Sequence, residues 1–253
     1  MPFKPSVCID AVFAGRSVSD ALKQVKLAGI DAFEFWSWWD KDLVSLNEEK
    51  EKLGLVVAAC CTKFISLVNS DQRDDYISGL KESIIAAKQL DCQVLISQVG
   101  DELTGVPRRE QYTSLVNGLK QSAPILEDAG IILVIEPLNT LVDHAGYYLV
   151  HSDEAFEIVA EVESPNVKIV FDIYHQQISE GNLISNITKN LEKIGHFHAA
   201  GNPGRHELTN GEINYRPILD IIKKAEFTGY LGLEYWPTCD PVIGLREIKK
   251  WFL

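Results

Sequence analysis

The stretch Ile131-Ile132-Leu133-Val134-Ile135-Glu136-Pro137 decides the fold: an apolar run closes on a carboxylate, and a proline follows. Proline gives no backbone N–H to a sheet, so Glu136 sits where a strand must stop. Three other segments repeat the pattern. Phe171-Asp172-Ile173-Tyr174-His175, His196-Phe197-His198 and Leu233-Glu234-Tyr235-Trp236-Pro237 each set an acid or an imidazole where an apolar run gives way to a loop. If each run is a parallel strand, the last residues gather at one end of one sheet. Oxygen and nitrogen ligands from distant positions can surround a single cation there.

Outward from these segments, a strand-like run repeatedly precedes a longer run with helical apolar spacing. The strands are expected at 6–10, 31–35, 55–60, 93–98, 131–136, 167–172, 194–198 and 230–235. Helices are expected at 17–28, 47–53, 74–90, 109–128, 152–162, 182–191 and 215–227. Strict alternation predicts a parallel sheet, and eight units predict that it closes into a (β/α)8 TIM barrel. Gly29, Gly54, Gly130 and Gly229 each follow a helical run and are expected to supply the left-handed cap before the next strand. An open dinucleotide-binding sheet would need a G-x-G-x-x-G loop after the first strand, and the sequence has none there. No Pro/Ser-rich linker or charge block divides residues 1–253, so a single α/β domain is expected.

A length of 253 residues with 46% hydrophobic content is ample for one large core. The 24 basic and 36 acidic side chains leave a formal charge of −12, an unfavourable field for approach to nucleic acid or an anionic membrane. Five cysteines, none in C-x-x-C spacing, point to a reduced, cytoplasmic chain. No segment approaches the roughly 20 apolar residues of a spanning helix, so a soluble protein is expected.

Taken singly, the rim residues have bland alternatives. Glu136 would serve as a salt-bridged rim carboxylate and Asp172 as a helix N-cap, while His175 reads equally well as a surface or a site residue. His196 and His198 lie two apart on a strand and share a face, with Phe197 on the other. His198 is expected at the strand's end, and His196 one layer deeper as a hydrogen-bonded interior residue. Glu234 stands inside an apolar stretch, where an unpaired charge costs several kcal/mol and a cation is a sensible partner. Joint placement at the ends of strands five to eight is the strong signal.

Ile135 to Asn139 (IEPLN), Phe171 to His175 (FDIYH), Gly195 to Glu207 (GHFHAAGNPGRHE), Gly211 to Tyr215 (GEINY) and Gly232 to Pro237 (GLEYWP) carry a family resemblance. The chain resembles the hydroxypyruvate isomerases, within the xylose-isomerase-like barrel superfamily that also holds ketose 3-epimerases and an endonuclease branch. The resemblance implies a TIM barrel binding one divalent ion through Glu136, Asp172, His198 and Glu234. It also implies Glu136 and Glu234 as the acid/base pair, His175 and Arg205 as holders of substrate oxygens, and a homo-oligomer. At position 198 this chain has histidine, as the epimerases do, where many hydroxypyruvate isomerases have glutamine.

Three carboxylates and an imidazole favour Mg²⁺ or Mn²⁺, with Co²⁺ or Zn²⁺ also accommodated. A hydroxy-ketone chelating such an ion through adjacent oxygens has a more acidic C–H, and two glutamates can then move the proton through an enediolate. The expected partner is a small hydroxy-oxo acid, with a neutral ketose as the alternative. A nuclease or a non-catalytic sugar-binding barrel is the remote reading. A 2-oxo acid needs a cation, for which Arg205 is the best candidate and Lys63 the second, although a solvated loop lysine describes Lys63 slightly better. Trp36, Trp38 and Trp39 cluster after the second strand, where they wall the pocket or pack the loop. Glu34 is expected to brace this wall. The loop 140–148, with Asp143 and His144, reads as a lid or a subunit contact.

Overall fold

The computed structural model describes residues 3–252. Of the expected span 1–253, Met1, Pro2 and Leu253 lie outside the described residues. Eight strands, β1 (Lys4–Cys8), β2 (Ala32–Phe35), β3 (Val56–Cys61), β4 (Val94–Ser97), β5 (Ile132–Ile135), β6 (Val167–Asp172), β7 (Ile194–Ala199) and β8 (Tyr230–Leu233), form a closed barrel in sequence order. Every neighbouring pair is parallel, including the closing pair of β1 with β8. The outer layer comprises α1 (Ile9–Val12), α2 (Val18–Leu27), α3 (Leu43–Leu53), α4 (Arg73–Gln89), α5 (Arg108–Ala129), α6 (Ser152–Val162), α7 (Ile173–Ser179), α8 (Leu183–Asn190), α9 (Tyr215–Lys224) and α10 (Pro241–Lys249).

Strand alternation sorts the side chains into two cores. Leu133 and Ile135 of β5 join the large cluster between barrel and helices, whereas Ile132 and Val134 meet Ala59, Cys61, Ile96 and Val170 in a small cluster inside the barrel. The inward parity 132, 134 runs on to Glu136. On β6 the inward Val170 runs on to Asp172, and on β8 the outward Leu231 and Leu233 leave Gly232 and Glu234 facing in. Parity therefore aims the rim carboxylates at the barrel axis.

The seven expected helices are present as α2–α6, α8 and α9 with end shifts of a few residues. Three helices, α1, α7 and α10, fall outside the seven expected spans, and of these the N-cap alternative for Asp172 anticipates α7. After Cys8 the chain turns at once into α1, so Asp10 is helical and not a strand end. Asp172 caps α7 within the β6–β7 connection, and Asp240 caps α10, its carboxylate accepting from the N–H groups of Val242 and Ile243. Gly29, Gly54 and Gly130 take positive φ as expected, but Gly229 does not. Glu226 adopts the left-handed turn after α9, and a Cβ at Gly229 would lie 2.5 Å from the Phe227 ring. Gly229 is small for packing, not for its dihedral. Among the described residues, no helix is long and apolar enough to cross a membrane.

Candidate active site

At the C-terminal mouth of the barrel, Glu136 (after β5), Asp172 (β6), His198 (β7) and Glu234 (after β8) each bring one ligand atom within 4.8 Å of the others, and all four are buried. His198 Nδ1 lies 3.0 Å from Glu136 Oε1, 3.7 Å from Glu234 Oε2 and 4.0 Å from Asp172 Oδ2. The two carboxylate oxygens of Asp172 split their work. Oδ1 accepts the N–H groups of Tyr174 (2.7 Å) and His175 (3.1 Å) as the cap of α7, and Oδ2 faces the cluster.

Burial pushes the Glu136 and Asp172 carboxyls up, against the opposing pull of His198, and the Glu234 charge adds to the rise. Burial works on Glu234 in the same sense, but the Arg205 guanidinium and His198 outweigh it and hold that carboxyl low. Burial would lower His198, yet Glu34 and Glu136 overcome it and raise the imidazole well above its ordinary value. Three carboxylates crowded in a dry site thus lack full charge compensation. A divalent cation suits this hard oxygen-and-imidazole donor set, and the cluster fits one.

Trp36 donates its indole N–H to Glu234 Oε1 at 2.6 Å. Arg205 donates to Glu234 Oε2, with its guanidinium 5.4 Å from the Tyr174 ring centroid. His175 is fully buried beside the cluster, its Nε2 3.7 Å from Asp172 Oδ2. The Asn139 N–H donates to His175 Nδ1 at 3.3 Å, and burial, then the Arg205 charge, keep the ring neutral. The proton of the neutral ring therefore sits on Nε2, which has no hydrogen-bond partner among the described residues. Above the cluster opens a cavity of about 620 Å³, lined by Trp36, Gln98, Glu136, Arg205, Glu234 and Trp236 among others.

Lys63 is not brought to this cavity. Its Nζ is 2.5 Å from Glu82 Oε2 on α4 and 5.6 Å from the Trp38 ring centroid, because the loop after β3 folds back over that helix. The tryptophans part company. Trp36 enters the site, Trp38 donates to Ser83 Oγ at 3.1 Å, and Trp39 packs edge-on against Phe64. Glu34 does not brace them, since parity turns it into the barrel, where it meets Ser6, His196 and His198. His196 occupies the deeper interior layer, 2.9 Å from Glu34.

Sequence reasoning passed over Asn139 and Gln98 as site residues, and gave Asp143 and His144 only to a lid or a subunit contact. Asn139 also donates from Nδ2 to Asp143 Oδ2 (2.8 Å), which accepts the Tyr174 hydroxyl at 2.9 Å, so the 140–148 loop is tied to the site. His144 stacks at a tilt on His175, with centroids 5.2 Å apart, and lines the cavity. Gln98 lines it too, its Oε1 without a hydrogen-bond partner among the described residues. Its signal was available, as the polar residue ending the fourth apolar run.

A closed parallel barrel with an acid–imidazole cluster at the C-terminal mouth defines an enzyme of the TIM-barrel class. The family model described as xylose isomerase-like TIM barrel matches residues 22–252. The hydroxypyruvate isomerase of Escherichia coli K12 is 33% identical over 175 residues, 69% of this chain and 67% of that protein. A 2-oxo-tetronate isomerase of Cupriavidus necator is 37% identical over 122 residues, 48% of this chain and 46% of that protein. A crystal structure described as AP endonuclease, family 2, from Brucella melitensis superposes with a TM-score of 0.91 at 26% identity, covering 97% of both chains. An L-ribulose 3-epimerase structure shares the fold, with a TM-score of 0.83 at 18% identity over 98% of this chain and 92% of that one. The chain belongs to the xylose isomerase-like TIM barrel family and is similar to its hydroxypyruvate isomerases.

Proposed function

We propose that the chain is a divalent-metal-dependent isomerase that interconverts a small 2-oxo-3-hydroxy acid and its aldehyde isomer, of the hydroxypyruvate/tartronate semialdehyde type. The observation that carries the reading is the convergence of Glu136, Asp172, His198 and Glu234 at the barrel mouth, with Glu136 and Glu234 lining a cavity that Arg205 also lines. The names of the Escherichia coli and Cupriavidus necator relatives support the substrate class. Glu136, Asp172, His198 and Glu234 would hold the metal. When bound, a divalent ion supplies Lewis-acid stabilisation of negative charge developing on the substrate's adjacent oxygens.

Glu136 and Glu234 divide the proton transfer. One carboxylate removes a proton from the hydroxyl-bearing carbon, the other returns one to the neighbouring carbon, and the hydroxyl proton passes to the former keto oxygen. The Nε2 proton of His175 is free to donate to a substrate oxygen, and Arg205 supplies the local cation for the substrate carboxylate in a chain of net charge −12. Trp36 and Trp236 wall the cavity and keep water from the developing charge. Residues 1–253 act as one barrel unit in the cytoplasm, and the enzyme works as a homo-oligomer.

A ketose 3-epimerase is the second reading, favoured by the engagement of Arg205 with Glu234, which partly neutralises the cation a 2-oxo acid needs. A nuclease is disfavoured by the net charge of −12. The test is turnover by EDTA-treated protein restored with Mg²⁺, Mn²⁺ or Co²⁺, offered hydroxypyruvate and, separately, neutral ketoses, with solvent deuterium uptake followed by NMR. Metal-dependent exchange confined to the 2-oxo acid is expected, and Glu136→Gln and Glu234→Gln should each abolish it. Turnover of neutral ketoses alone transfers the protein to the epimerase reading. Near-normal turnover in both variants sinks the two-glutamate scheme.

A further inference from the structure

Two buried carboxylates, Glu34 and Glu207, have no part in that scheme, and Glu34 is the one that meets a residue of the cluster. Glu34, on β2, is 2% exposed and points into the barrel beneath the metal-ligand cluster, while its neighbours Phe33 and Phe35 face the helices. A lone carboxylate there is costly, so its surroundings must compensate it. Glu34 Oε2 accepts from Ser6 Oγ at 2.8 Å and lies 2.9 Å from His196 Nε2. Oε1 lies 3.1 Å from His198 Nε2, an ion-pair contact whose angle falls short of an aligned hydrogen bond. The other nitrogen of that ring, Nδ1, is the one that faces Glu136, Asp172 and Glu234. His198 is therefore interposed between Glu34 and the cluster.

A second, independent observation is the space itself. Gly232 on β8 pairs in register with His198 on one side and Ser6 on the other. A Cβ on Gly232 would lie 2.1 Å from Glu34 Oε1 and 2.6 Å from His198 Cδ2. Any side chain at 232 would push the carboxylate and the imidazole apart, so the barrel reserves this volume for their contact.

We propose that Glu34 is a positioning residue for His198: pinned by Ser6 and His196, its carboxylate keeps the proton of the imidazole on Nε2 and so presents the Nδ1 lone pair to a divalent ion. The inference rests on the metal-centre reading above. Carboxylate–imidazole–metal relays orient the ring and raise its basicity, and loss of the outer partner typically weakens metal binding by about 10–100-fold.

The experiment is a double-mutant cycle on Mn²⁺ affinity, measured by calorimetry on metal-stripped protein for Glu34→Gln, His198→Gln and the pair. Glu34→Gln should weaken Mn²⁺ binding by about 10–100-fold beside His198. In the His198→Gln background the loss should shrink to a small factor, because an amide at 198 has no ring nitrogens to sort. Equal losses in both backgrounds overturn the proposal, since a general charge or folding effect is additive. Gly232→Ala changes no charge and should also weaken binding; unchanged affinity in a folded Gly232→Ala protein counts against it. Should Glu34→Gln fail to fold, the ¹⁵N-histidine spectrum of the unsubstituted, Mg²⁺-loaded protein decides. A protonated Nε2 and bare Nδ1 at His198 support the proposal, and the opposite tautomer overturns it. Absence of Mn²⁺ binding to the unsubstituted protein removes the metal-centre reading and this inference with it, whereas tight Mn²⁺ binding with an additive cycle removes this inference alone.

Discussion

Asp172 faces two ways, and two substitutions separate its faces. Asp172→Asn keeps an oxygen for the N–H groups of Tyr174 and His175, because asparagine is as good an N-cap as aspartate. Asp172→Ala removes the cap as well, which costs about 1 kcal/mol, or roughly 2–4 °C in Tm for a domain of this size. The charge acts in the opposite sense. Burial, with Glu234 adding to it, raises the Asp172 carboxyl above its ordinary value, so at neutral pH its ionised form is less stable in the folded chain than in the unfolded one. In EDTA, Asp172→Asn should therefore melt at or above the unsubstituted protein, with Asp172→Ala about 1 kcal/mol below Asp172→Asn. Saturating Mn²⁺ at about a hundred times its Kd should add about 2.7 kcal/mol to the unsubstituted protein and far less to either variant. Thermal unfolding by circular dichroism, with EDTA and with Mn²⁺, reads all of these. If Asp172→Asn in EDTA drops as far as Asp172→Ala, the carboxylate holds the fold through its charge and the crowded-cluster argument is wrong.

Metal uptake should release protons, because His198 holds its proton well above the ordinary imidazole range and must shed it to act as a ligand, and Glu136 and Asp172 are raised in the same direction. Mn²⁺ affinity should then rise with pH, and calorimetry in buffers of differing ionisation enthalpy should report the release; buffer-independent heats would refute it. Trp36→Phe keeps a ring but removes the 2.6 Å indole donor to Glu234. A hydrogen bond to a charged group is worth about 1.5–3 kcal/mol, so kcat/KM should fall roughly 10–150-fold, and an undiminished value would show that the contact is idle. Although burial raises the Glu34 carboxyl, His198 and His196 overcome it and hold the group well below its usual 4.5. Its contribution to stability is present above about pH 4.5 and lost as pH falls through the depressed folded value. The stability gap between the parent and Glu34→Gln should therefore close on acidification of the metal-free protein, and a pH-independent gap would contradict this.

The barrel was legible because eight apolar runs alternate with helical ones, and alternation needs no long-range information. What local pattern cannot carry is the exit from each strand. Asp10 reads as the end of an apolar run, but its carboxylate accepts the Trp36 N–H at 2.8 Å and the Lys41 ammonium at 3.0 Å, contacts 26 and 31 residues away. Gly229 reads as a cap because glycine follows a helix, yet Glu226 takes the left-handed turn, and only the Phe227 ring reveals why position 229 must be small. Lys63 stands two residues beyond a strand end, where a substrate cation belongs, but Glu82 on the next helix turns it away.

The acid–imidazole cluster was easier to find than its supports for a physical reason. Ligand groups at strand ends interrupt apolar runs and so announce themselves, while Asn139 and Asp143 lie in the loop after β5, where one more polar residue carries little contrast, and Gln98 ends an apolar run but brings only a neutral amide. Glu34 shows a subtler failure: it did interrupt an apolar run, Phe33-Glu34-Phe35, but was assigned to its tryptophan neighbours in sequence. The decisive fact was parity, which sets Glu34 on the face opposite Phe33 and Phe35 and leaves the barrel axis as its surroundings. The same rule dissolves the choice posed for Asp172. Its inward parity aims the carboxyl at the cluster, and its place as the last residue of β6 makes it the cap of α7. One oxygen serves each role, so the cap fixes the side-chain orientation that the cluster requires.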